Sequence, residues 1–307
     1  MTPEQKRFEA VLKERLAERA RLLIVADQKV VGLLRDALSQ ITAQLASQPA
    51  EWQQWHLTRL RDQISTVLVA TGQKAGAETD LALRDAWQQG EDLVDKPLAA
   101  AGHAVEMRLT ALDARVLSAM RTFGHERLNN VAAEALGKIG QQLGLVTIGS
   151  VTPFQAIKAV QALLESESTK RATTIVRTEV SRAFAVASKE RLVQAAPLVP
   201  GLGKQWRRSG KIHSRWTHDL MDGQVVDAGA LFKVPNPGGG IDLMQCPHDP
   251  KAPPEQVINC GCLAIPYLKS WKVVTPGAKP FTELELKLDG RKAALDKAAK
   301  DAGRRQE

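Results

Sequence analysis

Soft metal ligands crowd one short stretch of this sequence. Cys246, His248, Cys260 and Cys262 fall inside it, and the chain has no cysteine elsewhere. Two kinds of donor, thiolate sulfur and imidazole nitrogen, make up a structural Cys3His zinc site. The spacing is C-x-H followed by C-x-C rather than a pair of CxxC knuckles. Side chains two apart on a strand point the same way, so Cys260 and Cys262 read equally well as small buried thiols on one sheet face. The expectation is therefore a closed structural zinc at Cys246, His248, Cys260 and Cys262, or inert thiols. An odd cysteine count does not make a disulfide scaffold. Upstream, His213, His218 and Asp219 supply the imidazole and carboxylate of metal-assisted hydrolysis. An adjacent His and Asp define no reaction by themselves, and His218, just before the Asp222-Gly223 turn, reads as a hydrogen-bonding partner of the loop. None of GxxxxGK[ST], GxGxxG, HExxH or GxSxG occurs, so no enzyme is expected.

The second chemical feature is charge. The 307 residues carry a formal charge of +8, yet residues 169 to 215 alone hold eleven basic and two acidic side chains. The rest of the chain is near neutral. Arg177, Arg182, Lys204, Arg207, Arg208, Lys211 and Arg215 are the candidate phosphate contacts, with Trp206 and Trp216 interleaved for packing on sugar or base. An acidic protein partner and a plain solvated surface are the competing readings. Any DNA binding of this kind is independent of sequence, since nothing here reads bases.

Elements must position these groups. From residue 4 to about 48, Leu16, Ala20, Leu23, Ala26, Val30, Leu33 and Ala37 recur at spacings of three and four, which predicts a long helix with one apolar stripe needing a partner face. A second helix follows the break at residues 48–50, carrying Trp52, Trp55, Leu60, Ile64 and Val67, with a kink or turn at Pro97. Two helices are expected over about 105–122 and 125–143, and two more over 153–167 and 169–195. Pro197 and Pro200 then end the helical pattern. Short strands are expected at Gln205–Arg208, Gln224–Val226 and Cys260–Ile265, and helical spacing returns from 281 to 303. The fold class is α+β: a predominantly helical region at 1–150, a small strand-and-loop module at 151–268 and a charged C-terminal tail at 269–307. The first ten residues mix charges and no run reaches the roughly 18 apolar residues of a membrane span, so neither a standard signal nor a membrane partner is expected.

Read in order, the module gives Arg177-Thr178-Glu179 on a helix, Trp206, Arg215, His218, Asp222-Gly223-Gln224, Phe232, a Pro/Gly-rich loop, Pro247, Asp249-Pro250 and Asn259-Cys260-Gly261-Cys262. That order resembles the phage Mu F-like head morphogenesis family of minor head, or minor capsid, proteins over about residues 155–268. Gly261 stands where the family's basic residue lies between the last two cysteines. The resemblance implies a structural protein of a tailed-phage virion, sited in the head near the portal and in the host cytoplasm during assembly. Its implied partners are the portal protein, other head proteins and packaged double-stranded DNA, and the apolar stripe adds a homo-oligomer. A non-specific DNA-binding protein and, less favoured, a metal-dependent nuclease or effector are the alternatives.

Overall fold

A computed structural model describes residues 2–47, 54–103, 110–236, 238–269 and 281–301. Helices α1 (Pro3–Ala46), α2 (Gln54–Ala100) and α3 (Ala114–Thr147) are followed by α4 (Pro153–Ala162) and α5 (Thr169–Ala195). Then come β1 (Leu202–Arg207), α6 (Trp216–Leu220), β2 (Val225–Asp227), β3 (Phe232–Pro235) and β4 (Ile241–Met244). The chain closes with α7 (Pro254–Val257), β5 (Leu263–Leu268), α8 (Glu283–Leu288) and α9 (Gly290–Asp301). The class is α+β, as the composition pattern implies. Its compact units, however, cut across the boundaries expected at 150 and 268, because α1, α2 and α5 each contribute to both.

One unit comprises Leu22–Arg84 and Arg115–Val180. Its core joins Ile41 and Leu45 of α1 to Leu60, Ile64 and Leu68 of α2, Ala135, Ile139 and Leu143 of α3, and Val160 of α4. Each fully buried Leu or Ile contributes about 1.5–3 kcal/mol. The buried face of α1 runs through Ala26, Val30, Leu34, Ala37, Ile41 and Leu45, whereas Ala20 is exposed and Leu16, Leu23 and Leu33 are half-buried. The chain's own helices thus cover Ala26, Val30 and Ala37 of the expected stripe and leave Leu16, Ala20, Leu23 and Leu33 partly or wholly uncovered. Two further differences have local causes. A single helix, α3, replaces the pair expected over 105–143, and residues 104–109 at the start of that range lie outside the described residues, as do Trp52 and the side chain of Trp55. The two helices expected on either side of 168 are one continuous run, joined by a π-helical turn at Leu163–Ser168 whose widened ladder is closed by Thr169 Oγ1 donating to Leu164 O at 3.0 Å. Pro97 lies inside α2, three residues from its end, so the helix ends soon after it rather than at it.

The other unit comprises Met1–Arg21, Asp85–Ala114 and Ser181–Glu307. Its sheet has the order β2-β1-β5 with both pairings antiparallel, and β3 and β4 form a separate hairpin. In the register Trp206 opposes Ala264, and Gln205 opposes both Val225 and Ile265. Trp206 is fully buried and meets Phe232 and His218 edge-on, with ring centroids 5.2 and 5.3 Å away. Around it lie Met221, Val234, Met244, Cys246, Val257, Cys262 and Ala264. The four-residue strands β3 and β4 are additional to the three strands expected.

The C-terminal helices are tied to this unit by buried charge. At the end of β1 the Arg208 guanidinium reaches Glu285 at 2.6 Å and Asp222 at 3.6 Å and lies 4.3 Å from the Phe281 ring centroid. Lys292 is also buried; its ammonium donates to Lys211 O and lies 3.5 Å from Glu285. Burial would raise the Glu285 carboxyl, but hydrogen bonds from Arg208 and from the Thr282 cap hold it at about 2. A carboxyl lowered in the folded state stabilises above its ordinary value of 4.5 and loses that contribution as pH falls from there toward 2. In urea titrations Arg208→Gln should cost roughly 3–5 kcal/mol at pH 7, the range for breaking a buried pair. The deficit should shrink as wild type is acidified from pH 5 to 3; a deficit unchanged by acid would refute this role for the pair.

Candidate metal centre

Three buried donors meet beneath the sheet. His218 comes from α6, while Cys260 and Cys262 lie in the segment entering β5, and the donor atoms all fall within 4.8 Å of one another. His218 Nδ1 lies 3.4 Å from Cys260 Sγ and 3.7 Å from Cys262 Sγ. The other ring nitrogen fixes the tautomer. Gln256 Nε2 donates to Pro235 O and Asp242 Oδ2, at 3.2 and 2.7 Å, which leaves Gln256 Oε1 to accept from His218 Nε2–H at 2.7 Å. The hydrogen-bond network thus assigns the unprotonated nitrogen to Nδ1, aimed at both sulfurs.

The backbone explains how the cysteines arrive there. Asn259 adopts φ +56°, in the left-handed region that Asn tolerates, and Cys260 N donates to Val257 O. At Gly261 a Cβ would meet Ser209 Cβ at 2.7 Å and Lys211 Cε at 3.1 Å. A side chain there would force Ser209 to shift, which accounts for glycine between the two cysteines. Lys211 Nζ donates to Asn259 O at 2.8 Å and Arg215 Nη2 to Ile258 O at 2.5 Å, holding the cysteine loop from outside. Between these groups opens a cleft of about 230 Å³, bordered by Ser209, Lys211, His213, Arg215, Asn259 and the two cysteines.

The thiols do not titrate alike. Cys260 is held well below the ordinary thiol value, first because the Cys262 thiol donates to it and then, against burial, by the neighbouring His248 and His218. Cys262 is pushed up as the donor. Arg19 of α1 is also within electrostatic reach of both sulfurs; burial lowers its guanidinium to about 10, and the cysteines oppose that shift. It donates to Ser181 Oγ at 3.1 Å and stacks 5.2 Å from the Phe184 ring centroid. The arrangement can hold a divalent metal through two sulfurs and an imidazole, or pass a thiol proton to Nδ1.

The expected ligand set is rearranged. Cys260 and Cys262 are in the group and His218 joins them. Cys246 is absent from it, buried in the core behind β1, where burial and Asp249 push its thiol up to about 12 against the opposing charge of Lys204. His248 is fully buried at φ +65°, and neither ring nitrogen completes a hydrogen bond. Asp219 binds Ser214 Oγ rather than a metal partner, and His213 is exposed at the cleft. Gln256 and Arg19 carried no motif, although Arg19 sits seven residues from both Leu12 and Ala26 and so shares their buried face.

The candidate phosphate contacts disperse. Lys204 is buried under the Phe232 ring and donates to Gln245 O at 2.6 Å; burial lowers its ammonium to about 8. Arg208 is spent on Glu285 and Asp222. Neither can reach a phosphate, because leaving the interior would strand a buried carboxylate or an unpaired carbonyl. Arg207 and Arg182 are half-buried, and Arg177 binds Asp27 at 2.5 Å. Trp216 is exposed while Trp206 is core. No family model, curated protein or solved structure matches the chain. With purified, chelator-treated protein at pH 7.5, iodoacetamide should label Cys260 first and leave Cys246 unlabelled until denaturation; mass-spectrometric labelling of Cys246 ahead of Cys260 would contradict this ordering.

Proposed function

We propose that the chain is a non-catalytic assembly protein of a tailed-phage head, of the kind the Mu F-like resemblance implies, whose strand module is stapled by a structural zinc. One observation carries the reading. Residues of the resemblance that are spread from Trp206 to Cys262 in sequence converge on one core: Trp206 against His218 and Phe232, Asp222 under Arg208, and Cys260 and Cys262 on His218. The metric supports zinc. With Zn–S of about 2.3 Å and Zn–N of about 2.0–2.1 Å, a tetrahedral ion separates its nitrogen and sulfur ligands by roughly 3.6 Å, and Nδ1 lies 3.4 and 3.7 Å from the two sulfurs. The ion would be held by Cys260 and Cys262 as thiolates and His218 through Nδ1, with Gln256 as the outer partner that orients the ring. Zinc there would supply folding free energy by joining α6 to the entry of β5.

Portal and head proteins are the proposed partners, in the virion and in the host cytoplasm during assembly. Sequence-independent contact with packaged DNA falls to the charges that remain near the surface, Arg177, Lys211 and Arg215. Metal analysis of protein purified without chelator should give about one zinc per chain, and Cys260→Ser/Cys262→Ser should lose both the metal and incorporation into heads, read by mass spectrometry of purified virions and procapsids. Absence of the wild-type chain from both particles would overturn the assembly reading, and a folded, metal-free protein would overturn the zinc. For DNA, replacing Lys211 and Arg215 by Gln should flatten the dependence of log affinity on log salt by up to about two contacts at roughly 0.9 each; an unchanged slope would remove them from the interface.

A further inference from the structure

We propose that His248 is the fourth ligand of the zinc, closing a Cys2His2 site with His218, Cys260 and Cys262. The inference rests on the zinc reading above and adds to it the ligand that distinguishes a sealed ion from one with a position open to the cleft. His248 has no solvent exposure, and both Nδ1 and Nε2 lack hydrogen-bond partners. Its ring is among the groups that act on the Cys260 thiol, and it stands outside the three donors that lie within 4.8 Å of one another, so coordination requires the side chain to move in. An imidazole buried with nothing to bond forfeits the hydrogen bonds it makes in water. Such a group is rare in a folded interior and calls for a partner the protein atoms do not supply.

The backbone adds a second, independent sign. His248 sits at φ +65°, a left-handed conformation that strains a non-glycine residue. The neighbouring turn enforces it: Asp249 N donates to Cys246 O at 3.2 Å, Asp249 Oδ2 accepts from Gln245 N at 2.7 Å, and Asp249 Oδ1 accepts from Lys251 N at 2.9 Å. Asp249 therefore positions the segment and His248 occupies the strained apex. A strained residue whose side chain is buried and unpaired beside a thiol makes physical sense as a metal ligand. Coordination through one ring nitrogen would complete four ligands from α6, the 245–251 turn and the entry to β5, leaving the cleft outside the coordination sphere.

Cobalt(II) added to the chelator-treated full-length protein tests the assignment. Wild type should show the strong visible bands of a tetrahedral ion with thiolate-to-cobalt charge transfer. His248→Cys should keep the bands and raise the charge-transfer intensity about 1.5-fold, as three thiolates replace two. His248→Ala should weaken zinc binding at least as much as losing an outer-shell partner does, roughly 10–100-fold, in competition with a chromophoric chelator. Circular dichroism establishes that each variant is folded, and if the alanine variant is not, the cysteine variant carries the result. Tetrahedral cobalt in wild type with unchanged charge transfer in His248→Cys would overturn the fourth ligand while leaving the zinc reading standing. A wild-type spectrum of five- or six-coordinate cobalt would do the same. Failure of wild type to bind cobalt or zinc at all would overturn both.

Discussion

The hydrogen bond from His218 Nε2–H to Gln256 Oε1, at 2.7 Å, sets the direction of everything else at this site. An imidazole offers one lone pair, and which nitrogen carries it depends on what the other nitrogen meets. Here Gln256 cannot turn its amide around, because Asp242 and Pro235 both require its N–H groups. The lone pair therefore faces the two cysteines. Were Gln256 reversed, Nε2 would confront an amide donor, the proton would move to Nδ1, and the two sulfurs would face an N–H instead of a ligand atom. The Trp206 ring, edge-on to His218, limits how far the imidazole can tilt. The geometry at the metal centre is thus fixed by residues that would never touch the metal.

The basic segment shows how a charge count and a charge surface differ. Eleven cations between 169 and 215 are a property of the chain, but the fold decides where each is spent. Lys204 lies on the central strand β1, flanked on both sides by β2 and β5, so its ammonium has no outlet and caps a carbonyl instead. Arg208, four residues on and just past the end of β1, is neutralised by Asp222 and by Glu285, which arrives from a helix more than seventy residues later. Lys211 and Arg215 hold the carbonyls of the cysteine loop. Their charges still lie at the cleft, yet their first task is positional.

Legibility in the sequence followed length and locality. Helices α1 and α5 were readable because apolar residues recur over many turns. The helices bounding the π-helical turn were readable too, although sequence periodicity could not show that the backbone continues through it. The four-residue strands β3 and β4 gave too few alternations to register, whereas the three-residue β2 was read next to the Asp222-Gly223 turn. At the site, the C-x-C pair was visible as a metal or buried-thiol motif, and both cysteines are in the group. His218 was visible as a metal ligand only in the less favoured nuclease reading and not as a partner of the cysteines, because its approach to Cys260 is a contact between positions 42 residues apart. Cys246 looked equivalent to the other cysteines in the sequence, and only the fold separates it: it shares their core but stands outside the donors that lie within 4.8 Å of one another.

Arg19 supplies the last constraint. Among the described residues no carboxylate pairs with it; its buried guanidinium has the Ser181 hydroxyl and the Phe184 ring, and Nε has no acceptor. A buried cation left in that state is costly, and nearby anionic charge is what offsets it. The sulfurs of Cys260 and Cys262 are within electrostatic reach, and of the two it is Cys260 whose thiol is held low. A fixed positive charge beside those sulfurs favours the thiolate over the thiol form. In this way a residue of the first helix, remote in sequence from both cysteines, biases the strand module toward the ionisation state that binding a divalent metal requires. The N-terminal segment, Met1–Arg21, and the strand module belong to one compact unit, and the electrostatics of the centre provide a reason for that unit to be discontinuous in sequence.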